Sequence, residues 1–115
     1  MAAIFRFASL GSGSEGNALA VQAGDTCVLM DCGFNLAGTV ARLARLGLEP
    51  ETIGGIVVTH EHGDHIAGVA LLARKYALPV WLTHGTLRSR FKMLQDLPNV
   101  IEINPHQSFS IGDVL

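Results

Sequence analysis

Apolar residues recur along this chain in two rhythms, and the change from one to the other divides it into elements. From Ile4 to Leu10 bulky and smaller side chains alternate, and the runs ALAVQ and TCVLMD flank Gly24-Asp25. Alternation with period two marks a half-buried strand, and Gly-Asp between two apolar runs predicts a hairpin turn. After Gly33 the period lengthens. In NLAGTVARLARLG, residues Leu36, Val40, Leu43 and Leu46 share one helical face, with Asn35 as the cap and Gly47 as the stop. IGGIVVT predicts a buried strand, HEHGDH a loop, and IAGVALLARKY a second amphipathic helix with Ile66, Val69, Ala70, Ala73 and Tyr76 inward and Asp64 as its cap. LPVWLT, TLRSRFKMLQD and VIEI follow as strand, helix and strand, then a turn at Asn104-Pro105, and SFSIGDVL reads as the start of another strand. A hairpin first and strands alternating with helices later predict an α/β layered fold: a mixed sheet with outer helices.

Composition narrows this picture. A length of 115 residues allows one modest domain, and 49% hydrophobic against 16% charged residues is more apolar than a small free-standing domain needs, which predicts a sheet covered on both faces. No apolar run approaches the roughly 20 residues that span a bilayer, and MAAIFRFASL has neither a basic leader nor a cleavage site, so a cytoplasmic chain without a membrane partner is expected. The net charge of −2 supplies no global basic field for nucleic acid; Arg42, Arg45, Arg74, Lys75, Arg88, Arg90 and Lys92 fall mostly on the helices as solvated surface. Cys27 and Cys32 match no zinc-knuckle spacing and read as two reduced, partly buried thiols.

Two stretches carry candidate chemistry. GSGSEG places Gly11, Gly13 and Gly16 at the spacing of a dinucleotide-binding loop, with Asp31 where a ribose-binding acid would stand. That site needs a helix opening at the third glycine. Only a short run separates Gly16 from the Gly24-Asp25 turn, and β-branched Val21 favours a strand, so a tight glycine turn is the better reading and a nucleotide-binding module the lesser one. Ser12, Ser14 and Asn17 could still offer donors to an anion such as a substrate phosphate.

The second stretch, THEHGDHIAG, holds His60, His62, Asp64 and His65 directly after a predicted strand. A solvated loop accounts for Asp64 but leaves three clustered histidines without a reason. In an extended loop residues two apart point the same way, so His60 and His62 can share one ion; Asp64 and His65 project differently and suit a second. Imidazole with carboxylate accommodates zinc, manganese or iron and disfavours calcium. Glu61 alternates with the histidines and points away.

THEHGDH after an apolar strand resembles the signature of the metallo-β-lactamase fold superfamily. SLGSGSEGNA, VQAGDTCVLMDCG, LARLGLEPETI and IVVTHEHGDHIAGVALLARKYALPVWLTHGT further resemble its bacterial branch of YycJ or WalJ type. The resemblance implies an αβ/βα sandwich, a dinuclear metal site at a sheet edge, and 5′ to 3′ exonucleolytic hydrolysis of DNA. It assigns His60 and His62 to the first ion, Asp64 and His65 to the second, and Asp31 to orienting the metal loop. Asp64 would help to orient the attacking hydroxide. Gly63 stands where many members have serine, a departure that removes no ligand. The superfamily completes its site with a histidine, a bridging aspartate and another histidine from its C-terminal half. Of the remaining histidines, His84 and His106 are not at positions the family uses for metal. Residues 1–115 are therefore expected to form one incomplete domain, the N-terminal part of the sandwich, with an exposed apolar face that promotes self-association. Esters, thioesters or lactams are alternative substrates on the same fold.

Overall fold

The computed structural model describes residues 5–13, 16–60, 62–97, 99–104 and 111. Six strands form one sheet in the order of the chain: β1 (Phe5–Gly11), β2 (Ala18–Ala23), β3 (Thr26–Met30), β4 (Ile53–Val57), β5 (Val80–Thr83) and β6 (Val100–Ile103). The first three pair antiparallel, and β3 through β6 pair parallel. Ala23 pairs with Thr26, leaving Gly24 and Asp25 as a two-residue turn in which Gly24 adopts φ 58°. The parallel half needs crossovers, and the helical segments supply them. These are α1 (Leu36–Arg45), the short α2 (Gly63–Ile66), α3 (Val69–Tyr76), α4 (His84–Ser89) and α5 (Phe91–Leu94). No helix among the described residues is long and apolar enough to cross a membrane.

Local chemistry explains the start of α1. The Asn35 side chain accepts from Gly38 N at 2.7 Å, satisfying one of the amides that a helix start leaves without a partner. Its inward face differs from the predicted one. Leu43 and Thr39 are buried, Leu36 and Val40 half-buried, and Leu46 is exposed because the helix has already ended there as its C-cap. Thr39 tolerates burial because its hydroxyl bonds the Asn35 carbonyl at 2.8 Å.

The predicted second helix starts earlier than expected, at Gly63 within the segment predicted as a loop, is divided, and is not capped by Asp64. His62 is the N-cap of α2, Asp64 stands in its first turn, and Gly68 precedes α3. The division is imposed from outside the helix: Gly68 N donates to Cys32 O at 2.8 Å, and a Cβ on Gly68 would lie 1.9 Å from the Phe34 carbonyl oxygen. The predicted third helix is likewise two pieces, α4 starting at His84 under a Thr83 cap, and α5.

One sheet face packs beneath the helices through Leu29, Ile56 and Val80 of neighbouring strands, with Leu43, Ile66 and Leu72 from α1, α2 and α3 all fully buried. The opposite face is apolar too, but less covered. The cross-strand row Met30, Val57, Trp81 and Ile101 is half-buried, and Phe7, paired with Val21, is 69% exposed. Full cover on both faces, expected from composition, is thus met on the helix side alone among the described residues. Pro105 of the predicted Asn104-Pro105 turn and all of SFSIGDVL except Ile111 lie outside those residues.

Candidate metal centre

The site forms where β3 and β4, running parallel, reach their carboxyl ends, the edge at which open α/β sheets place ligands. Three segments are stitched together there by backbone hydrogen bonds. Asn17 N donates to Asp64 O at 2.7 Å, Cys32 N to His65 O at 2.8 Å, and Gly33 N to Asn17 O at 3.0 Å. The glycine-rich loop, the segment after β3 and the histidine loop therefore hold fixed positions relative to one another.

Asp31, buried directly after β3, is the organising group. Its backbone is left-handed at φ 63°, a conformation uncommon outside glycine that Asp tolerates better than most residues. Its Oδ1 accepts from Thr59 N at 2.7 Å, and its Oδ2 meets the Thr59 hydroxyl and lies 2.7 Å from His65 Nδ1. One ligand atom each from Asp31, His60 and His65 lies within 4.8 Å of the others, a spacing at which they could surround a cation. With three donors already on its oxygens, Asp31 is better suited to hold the ligands than to be one.

His65 donates Nδ1–H to that carboxylate, and its Nε2 lies 3.8 Å from Asp64 Oδ2. Two ligands on a tetrahedral ion with bonds near 2.0–2.1 Å stand about 3.4 Å apart, so the spacing fits a shared cation. Asp64 Oδ2 also accepts from Asn17 Nδ2 at 3.0 Å. His60 and His65 approach to 4.6 Å between ring centroids, while His60 and His62 are 6.4 Å apart on the exposed side of the loop. The residues fit a divalent ion by donor chemistry, imidazole nitrogens beside a carboxylate with hydrogen-bonding groups behind them.

An open cleft of about 240 Å³ adjoins Asp31 and His65, with Ser9, Gly11, Ser12 and Asn17 among its walls. Ser12 thus borders the same space as the histidine loop. The Asn17 side chain is already engaged: Nδ2 donates to Gly13 O at 2.8 Å and to Asp64, and Oδ1 accepts from Gly13 N at 3.1 Å. Gly16 leads into β2 and not into a helix, and a Cβ there would strike the Phe34 ring at 2.7 Å. Close packing explains that glycine without a pyrophosphate. Ser14, Glu61 and His106 lie outside the described residues, and His84 pairs with Glu102 at the surface.

The residue that sequence reasoning passed over is Thr59. Its hydroxyl touches both Asp31 and, at 2.9 Å, His60 Nδ1. The available signal was a hydroxyl at the strand end directly before the first histidine, but its partner is 28 positions away.

Comparison with known proteins bears on this arrangement. The sequence model of the metallo-beta-lactamase superfamily matches residues 11–113. The chain belongs to that superfamily. It is 38% identical over 108 residues to an exodeoxyribonuclease YycJ from Bacillus anthracis, covering 94% of this chain and 39% of that protein. An exodeoxyribonuclease WalJ from Streptococcus pneumoniae is 37% identical over 82 residues, 71% of this chain and 30% of its own length. In both, the chain spans well under half of its relative. The fold matches BJP-1, a subclass B3 metallo-beta-lactamase of Bradyrhizobium japonicum, with a TM-score of 0.75 at 18% identity over 96% of this chain and 47% of that one. The mixed sheet with outer helices, expected from the pattern of strands, is therefore the superfamily's fold.

Proposed function

We propose that this superfamily member is part of a metal-dependent nuclease that hydrolyses phosphodiesters of DNA, removing nucleotides 5′ to 3′ in the cytoplasm. The observation that carries the reading is the Asp31–His65–Asp64 arrangement beside an open cleft: a carboxylate orients an imidazole whose other nitrogen faces a second carboxylate. The exodeoxyribonuclease names of the relatives support DNA as the substrate class. In the proposal His60 and His62 hold one divalent ion and Asp64 and His65 another, with ligands from outside residues 1–115 completing the domain. The ions, zinc or manganese, would supply a hydroxide near neutral pH and neutralise charge on the phosphate. Asp31 keeps His65 in the metal-binding tautomer. In the same proposal Asp64, which accepts from Asn17, orients the attacking oxygen, and Ser12, on the cleft wall, donates to a phosphate oxygen.

The test is degradation of a 5′-phosphorylated duplex with zinc or manganese added. The complete domain should shorten the duplex from the 5′ end while residues 1–115 alone should not, and replacing His60 and His62 together by alanine in the complete domain should lower the rate by a hundredfold or more, about 3 kcal/mol of barrier. Turnover of a thioester or lactam with the duplex left intact would overturn the nuclease reading.

A further inference from the structure

We infer that Thr59 is a positioning residue: its hydroxyl carries the influence of Asp31 to His60, so that one buried carboxylate sets the tautomers of two histidines. The inference rests on the metal reading above for its purpose, but not for its geometry. Asp31, as a carboxylate, accepts hydrogen bonds and donates none. The single hydroxyl proton of Thr59 therefore goes to Asp31 Oδ2, and the Thr59 oxygen is left as the acceptor toward His60 Nδ1, 2.9 Å away. A neutral ring that donates from Nδ1 keeps its lone pair on Nε2. His65 reaches the same state directly, through Nδ1 at 2.7 Å from Asp31 Oδ2.

The placement follows from the fold. Asp31 N donates to Val57 O at 2.8 Å, and Thr59 N to Asp31 Oδ1 at 2.7 Å, so the chain leaving β4 is clamped to the end of β3 on both sides of Val58. With backbone and carboxylate both fixed, the hydroxyl has a preset direction. His60 is exposed, and its contact with the Thr59 hydroxyl at Nδ1 distinguishes its two nitrogens. A Thr59→Val change retains the shape and the backbone amide but removes the relay. Thr59→Ser restores it.

The deciding measurement is the long-range nitrogen–proton NMR correlation of the histidine rings in the metal-free protein, above neutral pH. Wild type should show Nδ1–H on both His60 and His65. In Thr59→Val, His60 should lose that preference while His65 keeps it, a split that general loosening of the loop would not produce. Thr59→Ser should resemble wild type. Thr59→Ala, read in the same way, replaces the valine variant should that one fail to fold. Titration with zinc alone should show affinity lowered about tenfold in Thr59→Val and within about twofold of wild type in Thr59→Ser, the scale expected when a ligand loses its hydrogen-bonded support. A wild-type His60 protonated on Nε2, or an unchanged His60 signal in Thr59→Val, would overturn the relay. Expected tautomers in a complete domain that binds no zinc would support the relay and overturn the metal reading instead.

Discussion

Asn17 and Cys32 both bond to the histidine loop and are built for opposite purposes. Asn17 spends its side-chain amide on Gly13 and on the Asp64 carboxylate, so it joins the glycine-rich loop to a candidate ligand. Asn17→Ala should cost about 1–2 kcal/mol of stability from the lost hydrogen bonds and reduce zinc affinity about tenfold, read by urea unfolding and by competition against a chelating dye. Equal zinc affinity in the variant would show that Asp64 needs no such support. Cys32 is fully buried, and burial pushes its thiol pKa up, against the opposing pull of the hydrogen bonds to Thr39 and Phe34 O. Because the folded state favours the protonated thiol, this contribution is complete below the usual thiol pKa of about 8.5 and is lost as the pH rises through the raised folded value. Stability should therefore decline on the alkaline side, and Cys32→Ala should flatten that decline whatever its own baseline. An unchanged alkaline slope would place the titrating group elsewhere.

Elements were legible where short-range chemistry decides them. The hairpin needs only Gly24-Asp25 between alternating runs, and α1 needs only Asn35 before its apolar face. The division between α2 and α3 was not legible, because IAGVALLARKY has an unbroken helical pattern and the break comes from Cys32 and Phe34, which occupy the space beside Gly68. Gly68→Ala should consequently cost far more than a helix-favouring substitution saves. About 3 kcal/mol is expected, seen as a lowered urea midpoint, with the candidate metal site disturbed as well because Cys32 N also holds His65 O. A neutral or stabilising Gly68→Ala would mean that the two segments can separate at little cost. The candidate site shows the same divide. Its histidines and Asp64 are contiguous and announce themselves in sequence, whereas Thr59 and Asn17 acquire their roles from partners 28 and 47 positions away.

At the scale of the molecule, the two faces of the sheet differ. The helix side is closed, while Met30, Val57, Trp81 and Ile101 line a half-buried apolar row on the other, with Phe7 open near the β1 edge. Apolar area of this kind favours association, so sedimentation velocity on the 115-residue chain should show concentration-dependent oligomers. Phe7→Lys should weaken them with little change in melting temperature; a monomer at all concentrations would mean the row is covered in solution. The stitching of the site has a consequence for how the chain reaches its native state. Asn17 and Asp64 meet across 47 positions, and no local turn or helix can assemble that contact early. Loop closure must precede it. Helix content can then appear before this contact does, and on the metal reading proposed above cation uptake during refolding would become a clock for the arrival of the N-terminal hairpin on the histidine loop.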